Sequence, residues 1–459
     1  MNSSELPSAQ PLSFYGGTLG AVLPFAVFVG GVIPIALSGA PDERGFWPVL
    51  FAAITTGMLL AKDRKAFSET IIAGMAQPIV MIMLSAWMLA STIGTLMSAT
   101  GFVEALTWLA NQLHLSAAGF TAAAFAMCCI ISLSTGSSFA TILIGGPILY
   151  PAGGLLGADL PLLAGAILAG ATFGDFFAPI SDTTIASAFS QKAEIGPTVR
   201  SRLKYILPVA ALALPAYYLL GDPASPAQLA GQETLKGNPA GLPMLLVPVL
   251  IIAMFIRGTD LLQGLLMGLL GGTLLGWGLG LLPTEKILSL DLENFTAKSF
   301  IIDGVNRATG ISFFTILLMG LVATLQASGL IDRLVAKASR SGNTPRKAEA
   351  WIATSASAAV LLTTHSIVAI LMVADFVRKT GEQQDISPTR RANLLSLVVC
   401  VFPFLLPYFI PVILMSNTTN SGASFGIPAV APLQAGLFNF TAWGLAAMTI
   451  GTLLWNKRK

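Results

Sequence analysis

Long apolar runs separated by short polar punctuation set out the plan of this chain. Tyr15 to Leu37 and Phe46 to Ala61 are the first two, the second closed by Lys62, Arg64 and Lys65. An α-helix rises about 1.5 Å per residue, so runs of about 20 apolar residues match a hydrocarbon layer of about 30 Å. Pro78 to Met97 is a third such run. Gly101 to Leu115 instead sets Glu104, Asn111 and His114 among apolar residues, without Lys or Arg, which predicts an amphipathic helix at the outer interface. Ala117 to Leu156 is apolar apart from the knot Ser134-Thr135-Gly136-Ser137-Ser138. A glycine among four hydroxyl residues holds a helix poorly, so the run predicts two helices meeting at a tip, either a re-entrant hairpin or two full spans. Leu160 to Ser190 is apolar at its start and polar in its middle, and Tyr205 to Leu220 leads to a Pro- and Gly-rich loop around Asp222 to Gly241. Leu242 to Ile256 and Leu261 to Leu282 follow, then an amphipathic stretch from Glu285 to Arg307.

From Ser312 the second half repeats the first. LMSATGFVEALTWLA from Leu96 resembles LQASGLIDRLVAKA from Leu325, with Gly101 and Gly329 offset by 329 − 101 = 228 positions. Ser181-Asp182-Thr183-Thr184 faces Ser416-Asn417-Thr418-Thr419, offset by 416 − 181 = 235. Between these pairs the first knot corresponds to Thr363-Thr364-His365-Ser366. Charge supplies orientation, because cytoplasmic loops concentrate Lys and Arg. Arg333, Lys337, Arg340, Arg346 and Lys347 precede the second tip, and Arg378, Lys379, Arg390 and Arg391 follow it, so this hairpin leaves and rejoins the cytoplasmic side. Its apolar arms, Ala350 to Leu362 and Ile367 to Val377, would be about 20 and 16 Å long, too short to cross. The first tip comes from the other side. The expected fold is an all-α polytopic membrane protein of about ten transmembrane helices plus two re-entrant hairpins, in two inverted repeats with broken helices at the midplane. Its parts are 1–66, the N-terminal helices; 67–220, repeat 1; 221–309, the linker loop and connecting helices; and 310–459, repeat 2 with a C-terminal span from Pro432 to Trp455. Lys192, Arg200, Arg202 and Lys204, like Lys457, Arg458 and Lys459, fall on the cytoplasmic side, and both termini go with them.

Composition agrees with this plan and removes alternatives. Of 459 residues, 54% are hydrophobic and only 10% charged, and the mean hydropathy is +0.77, which leaves no room for a soluble domain of any size. The expected location is the plasma (inner) membrane, multi-pass, among membrane lipids; no nucleic acid partner is expected, and a homodimer is left open. Cys128, Cys129 and Cys400 lie in apolar runs and read as small core residues rather than a disulfide frame or a metal site. The polar opening residues lack a basic region, so no cleavable signal peptide is expected.

Chemistry concentrates in Gly170 to Ala188, GATFGDFFAPISDTTIASA. A carboxylate at the bilayer centre costs about 3 kcal/mol on insertion scales, so an intramembrane Asp points to function. Here there are two, Asp175 and Asp182. Pro179 stands four residues after Asp175 and would leave that carbonyl unpaired, which predicts a broken helix. Carboxylates, freed carbonyls and the hydroxyls of Ser181, Thr183 and Thr184 make an oxygen-rich site for a hard cation, with Asp182 and Asp175 as its candidate ligands. The competing reading is a helix-end loop at the membrane surface. Pro403, Pro407 and Pro411 predict a second irregular path ahead of Ser416, where Asn417 stands in place of Asp182. Clustering at corresponding breaks adds Thr135, Ser137, Ser138, Ser416, Asn417 and Thr418 to the candidate site, although isolated membrane hydroxyls often only bond their own helix. His365 is either a substrate or proton ligand or a neutral residue satisfied by a backbone carbonyl. Asp375 is expected to pair with Arg378, and Glu104 and Asp332 to lie on solvated faces.

The same stretch resembles the signature of the NhaC-type sodium/proton antiporter family, roughly G-A-x-F-G-D-x-x-[SA]-P-x-S-D-T-T. Gly170, Ala171, Phe173, Gly174, Asp175, Pro179, Ser181, Asp182, Thr183 and Thr184 match it. The resemblance implies a secondary antiporter, not an enzyme, with no cofactor and with Na⁺ and H⁺ as the transported ions. Two neighbouring carboxylates fit that expectation, since protons and Na⁺ would compete for the same oxygens. The alternative is a Na⁺- or H⁺-coupled exchanger or symporter of a small organic ion, an amino acid or a carboxylate. A membrane hydrolase is disfavoured, because no G-x-S-x-G surrounds a serine and no His/Glu metal spacing occurs.

Overall fold

The computed structural model describes residues 12–38, 43–179, 181–221, 238–257, 259–292, 295–330 and 344–455. Asp332, Arg333, Lys337, Arg340, Lys457, Arg458, Lys459 and most of the loop from Asp222 lie outside them. Nearly all of the rest is helical, as the uninterrupted apolar runs require. The first half comprises α1 (Thr18–Leu37), α2 (Trp47–Leu60), α3 (Arg64–Met75), α4 (Pro78–Ala99), α5 (Phe102–Gln112), α6 (Ala117–Thr135), α7 (Ser138–Leu155), α8 (Leu160–Phe177), α9 (Asp182–Ser190) and α10 (Ile195–Leu220). After a 3₁₀ stretch come α11 (Leu246–Ile256), α12 (Leu261–Gly278) and the single turn α13 (Thr284–Ile287). The second half has α14 (Phe300–Ala327), α15 (Pro345–Thr363), α16 (Ser366–Gln383), α17 (Pro388–Val399), α18 (Ile410–Thr418), α19 (Pro432–Leu437) and α20 (Phe440–Trp455).

Among the described residues seven helices are long and apolar enough to cross a membrane, or eight if the bent pair α5 and α6, which meet at 115°, counts as one span. The amphipathic α5 thus lies across the end of α6, as its polar residues predict. Three shorter apolar helices, 44–60, 239–254 and 440–454, accompany them. Several details differ from the sequence reading. Glu285 to Arg307 is not one amphipathic stretch: a two-stranded antiparallel ribbon, β1 (Ser289–Asp291) with β2 (Thr296–Lys298), precedes α14, which starts twelve residues before Ser312. Arg307 is therefore inside a helix, and the boundary drawn at 309/310 falls within α14, as the one at 66/67 falls within α3. The C-terminal run is broken at Asn439, whose Oδ1 accepts from the Ala442 amide (3.0 Å) while the Phe440 amide donates to Tyr217 Oη (3.1 Å). Glu104 is half-buried rather than solvated, and its Oε2 has no hydrogen-bond partner among the described residues.

The centre of the protein is α8. A helix hydrophobic on every side belongs in the interior, and every residue from Leu162 to Phe176 is buried. Its close fit against α6 explains two glycines of the signature. A Cβ at Gly170 would stand 2.4 Å from Cys128 Cβ, and one at Gly174 would stand 2.4 Å from the Ser132 carbonyl carbon. The glycines recur four residues apart because that spacing keeps them on one helix face. Ser132 Oγ then donates to the Ala171 carbonyl (2.9 Å), sewing the two helices together beside the break.

Candidate functional site

The two tips share one backbone geometry. Gly136 (φ 66°, ψ 14°) is left-handed and Ser137 (φ −133°, ψ 119°) extended before α7; Thr364 (φ 53°, ψ 13°) and His365 (φ −137°, ψ 122°) do the same before α16. Glycine adopts the left-handed region freely, whereas a β-branched threonine there is strained by about 1–2 kcal/mol. Strain of this kind persists where the surroundings over-determine it, often at functional sites. The two helices that meet at each tip are in contact with each other. The second pair has longer arms than its apolar residues suggest: 19 and 18 residues, about 28 and 27 Å. Arm length therefore gives no argument against crossing.

The breaks fall where the prolines place them. Helix α8 stops at Phe177 and α9 restarts at Asp182, around Pro179. Helix α17 stops at Val399, four residues before Pro403, and α18 restarts at Ile410 with Pro411 in its first turn, where a missing N–H costs nothing. The carbonyls that Pro179 and Pro403 deprive of their helical donors do not stay free. Asp175 O accepts from Ser181 Oγ (2.8 Å) and Thr183 Oγ1 (2.6 Å), and Val399 O accepts from Ser366 Oγ (3.0 Å). Hydroxyls thus replace backbone amides at both breaks, which is why an unwound path survives in a low-dielectric interior.

A small cavity of about 50 Å³ lies where the four segments meet. The first break contributes Asp175, Asp182 and Thr183; the first tip, Ser137 and Ser138; the second tip, Thr364, His365 and Ser366; the second break, Pro403, Phe404, Ile410 and Pro411. The carboxylates differ in setting. Asp175 is 7% exposed, and its Oδ1 accepts from Ser181 Oγ (3.0 Å) and Thr183 Oγ1 (3.4 Å). Asp182 is exposed at the cavity rim, and no hydrogen bond reaches its carboxylate among the described residues. His365 is 9% exposed and its Nδ1 has no partner among the described residues, which include no backbone carbonyl bonded to that nitrogen.

Other expected residues stand back from the cavity. Thr135 supports the first tip, its Oγ1 accepting from the Ser137 amide (3.3 Å). Ser181 is knitted to Asp175, and Thr184 Oγ1 accepts from Arg202 Nη1 (2.7 Å). Ser416, Asn417 and Thr418 are at the far end of α18: Ser416 Oγ donates to Val430 O (2.6 Å), Asn417 Nδ2 to Arg307 O (3.2 Å) and Thr418 Oγ1 to Met415 O (2.7 Å). The motif that resembles Ser181 to Thr184 therefore lies more than a helical turn beyond the second break, because the proline run ends at Pro411 and α18 forms before Ser416. Asp375 pairs with Arg378 as expected, at 2.6 Å.

The network behind the cavity rests on a residue that charge counting assigned to the cytoplasmic loop. Arg202 is fully buried in α10. Its guanidinium donates to Phe176 O (2.6 Å), Thr184 Oγ1 (2.7 Å), Ser187 Oγ (3.1 Å), Asn393 Oδ1 (2.9 Å) and Ser396 Oγ (2.7 Å), and lies 5.2 Å from the Phe176 ring centroid. One side chain so ties α8, α9 and α17 together. Asn439 does a similar service from the C-terminal run, its Nδ2 donating to Thr172 Oγ1 (2.9 Å) and Phe404 O (3.1 Å).

The model of the family described as the Na⁺/H⁺ antiporter family matches residues 12–221 and 236–425, which takes in both breaks and both tips. The chain belongs to that family. Its curated relatives include a malate-2H⁺/Na⁺-lactate antiporter of Bacillus subtilis, 32% identical over 48% of this chain and 43% of the relative. A Na⁺/H⁺ antiporter NhaC of Alkalihalophilus pseudofirmus is 24% identical over 63% and 64%, and one of Bacillus subtilis 27% identical over 46% and 48%. The matches thus span between about two fifths and two thirds of the relatives' own lengths. For this antiporter-family chain, Arg202 and Asn439 were hidden from sequence reading because only the fold shows what one cation of a basic cluster, or a lone polar residue in an apolar run, meets.

Proposed function

We propose that the protein is a secondary antiporter of the plasma membrane, exchanging Na⁺ for protons by alternating access at the cavity between the two tips, with both termini cytoplasmic. The observation that carries this reading is the cavity's lining: two carboxylates with hydroxyls around them and neither Lys nor Arg. Such a surface selects a cation. Its size argues the same way, since a water needs about 10–15 Å³ of such volume and about 50 Å³ holds a cation with a few waters, not a dicarboxylic acid. Asp182, exposed and unbonded, is the exchangeable ligand; Asp175, fixed by Ser181 and Thr183, is its neighbour. Both carboxylates line the one small cavity, so a proton or Na⁺ taken up by either relieves repulsion.

A second reading keeps one supporting observation. The N-termini of α7, α9, α16 and α18 all border the cavity, and helix N-termini favour anionic groups. The relative that carries malate and lactate fits this alternative of an organic anion beside Na⁺.

In the proposed cycle the tips reach the site from opposite faces. Cysteine placed at Ser137 is expected to react faster with an external membrane-impermeant maleimide, and cysteine at Ser366 faster with a cytoplasmic one. Na⁺ slows both reactions, while K⁺ and malate do not. Reaction of both cysteines from one face under every condition, or protection by malate without Na⁺, contradicts the proposal.

A further inference from the structure

A second cavity, of about 620 Å³, opens between α10, α17 and α20. It has no part in the site above. Its lining holds two cations, Lys204 and Arg390, several hydroxyls and no carboxylate. Arg390 is a fixed wall: its Nε and Nη2 donate to Glu349 at 3.1 and 2.9 Å, and its Nη1 donates to Tyr205 Oη at 2.9 Å. Glu349 is 1% exposed and sits behind that wall, so the negative charge is screened from the cavity while the positive charge faces it. Lys204 is exposed, with Nζ 4.9 Å from the Tyr205 ring centroid, and its charge has no carboxylate partner among the described residues. Met448 and Gly451 of α20 form an apolar side of the cavity.

We propose that this cavity binds a phosphate-type anion, with Lys204 as the principal charged contact and the Arg390 face and neighbouring hydroxyls of Ser201 and Thr389 completing it. Basic cavities between membrane helices near the positively charged side take phosphorylated headgroups, and an adjacent apolar wall accommodates acyl chains. The same chemistry would accept a soluble phosphate. Occupancy reaches the transport site through shared residues. Asn393 lines the cavity, donates from Nδ2 to Ser201 Oγ (2.6 Å) and accepts from Arg202 Nε at Oδ1 (2.9 Å), so an anion seated there braces the arginine that holds the first break.

The binding claim is independent of what the protein carries, so its test uses no transport readout. Full-length protein is purified and exposed to phosphatidylglycerol, phosphatidylcholine or inorganic phosphate, with binding read by mass spectrometry of the intact complex and by thermal melting. Wild type is expected to retain phosphatidylglycerol over phosphatidylcholine, and Lys204→Gln to bind it about fivefold more weakly, the effect of one surface Lys on an anionic headgroup. A phosphatidylglycerol-induced rise in melting temperature should shrink in Lys204→Gln and vanish in Lys204→Glu. If inorganic phosphate at millimolar concentration gives the Lys204-dependent shift and the lipid does not, the site is a soluble-anion site. If neither probe distinguishes wild type from both Lys204 variants, the cavity is not an anion site.

Discussion

Asp182→Asn is expected to reduce Na⁺-driven proton movement to the level of empty vesicles while leaving the protein folded. The substitution keeps the shape of the side chain and one carbonyl oxygen but removes the exchangeable charge. Nothing in the break depends on it, because the carbonyl freed by Pro179 is satisfied by Ser181 and Thr183 rather than by Asp182. Asp182→Glu keeps the charge on a longer stem and should retain slow exchange with altered Na⁺ affinity. In the wild type, raising pH strips the competing proton and raises apparent Na⁺ affinity until proton loss is complete; in Asp182→Asn that dependence flattens. Wild-type exchange rates in purified Asp182→Asn protein would move the carrier role to Asp175 or His365.

Arg202→Met is expected to lower folding stability by about 3–5 kcal/mol, because a buried acceptor left without its donor costs about 1–3 kcal/mol and several are left so at once. The change deprives Phe176 O, Thr184, Ser187, Asn393 and Ser396 of their shared donor at once. Unpaired buried acceptors each carry a desolvation cost, and those on α8, α9 and α17 have little water to turn to. Arg202→Lys keeps the charge but offers a point donor in place of a planar fork, so it should recover only part of the loss. Thermal melting in detergent, followed by size-exclusion profile, measures both. A melting temperature for Arg202→Met equal to that of wild type would show that the Arg202 network does not hold the breaks.

These two residues also mark how far the sequence could be read. Asp182 was legible because intramembrane charge is costly and Pro179 dictates a local break. The tips were legible for the same reason: Gly136 among hydroxyls, and its counterpart around Thr364, are local weaknesses in otherwise helical runs. Chemistry set by contacts distant in sequence was not. Arg202 reads as one more cytoplasmic cation until α10 is seen to deliver it 191 positions from Asn393. The likeness between Ser181 to Thr184 and Ser416 to Thr419 was real as a string, yet it misplaced the second half's share of the cavity. That share comes from the second tip and from Pro403, Phe404, Ile410 and Pro411, since the interval between break and motif is set by how many residues α18 needs. The arms on either side of the second tip were underestimated because helix continues through their polar ends, from the cap at Thr344, which accepts from the Lys347 amide, to Gln383.

Purified protein reconstituted into vesicles with an internal pH-sensitive dye gives the most direct test of the exchange site. An inward Na⁺ jump should raise internal pH, with the rate saturating in Na⁺ and unaffected by malate, lactate or amino acids on either side. A Na⁺ jump that moves no protons unless an organic anion is supplied would contradict Na⁺/H⁺ exchange at this cavity and establish the organic-ion alternative in its place.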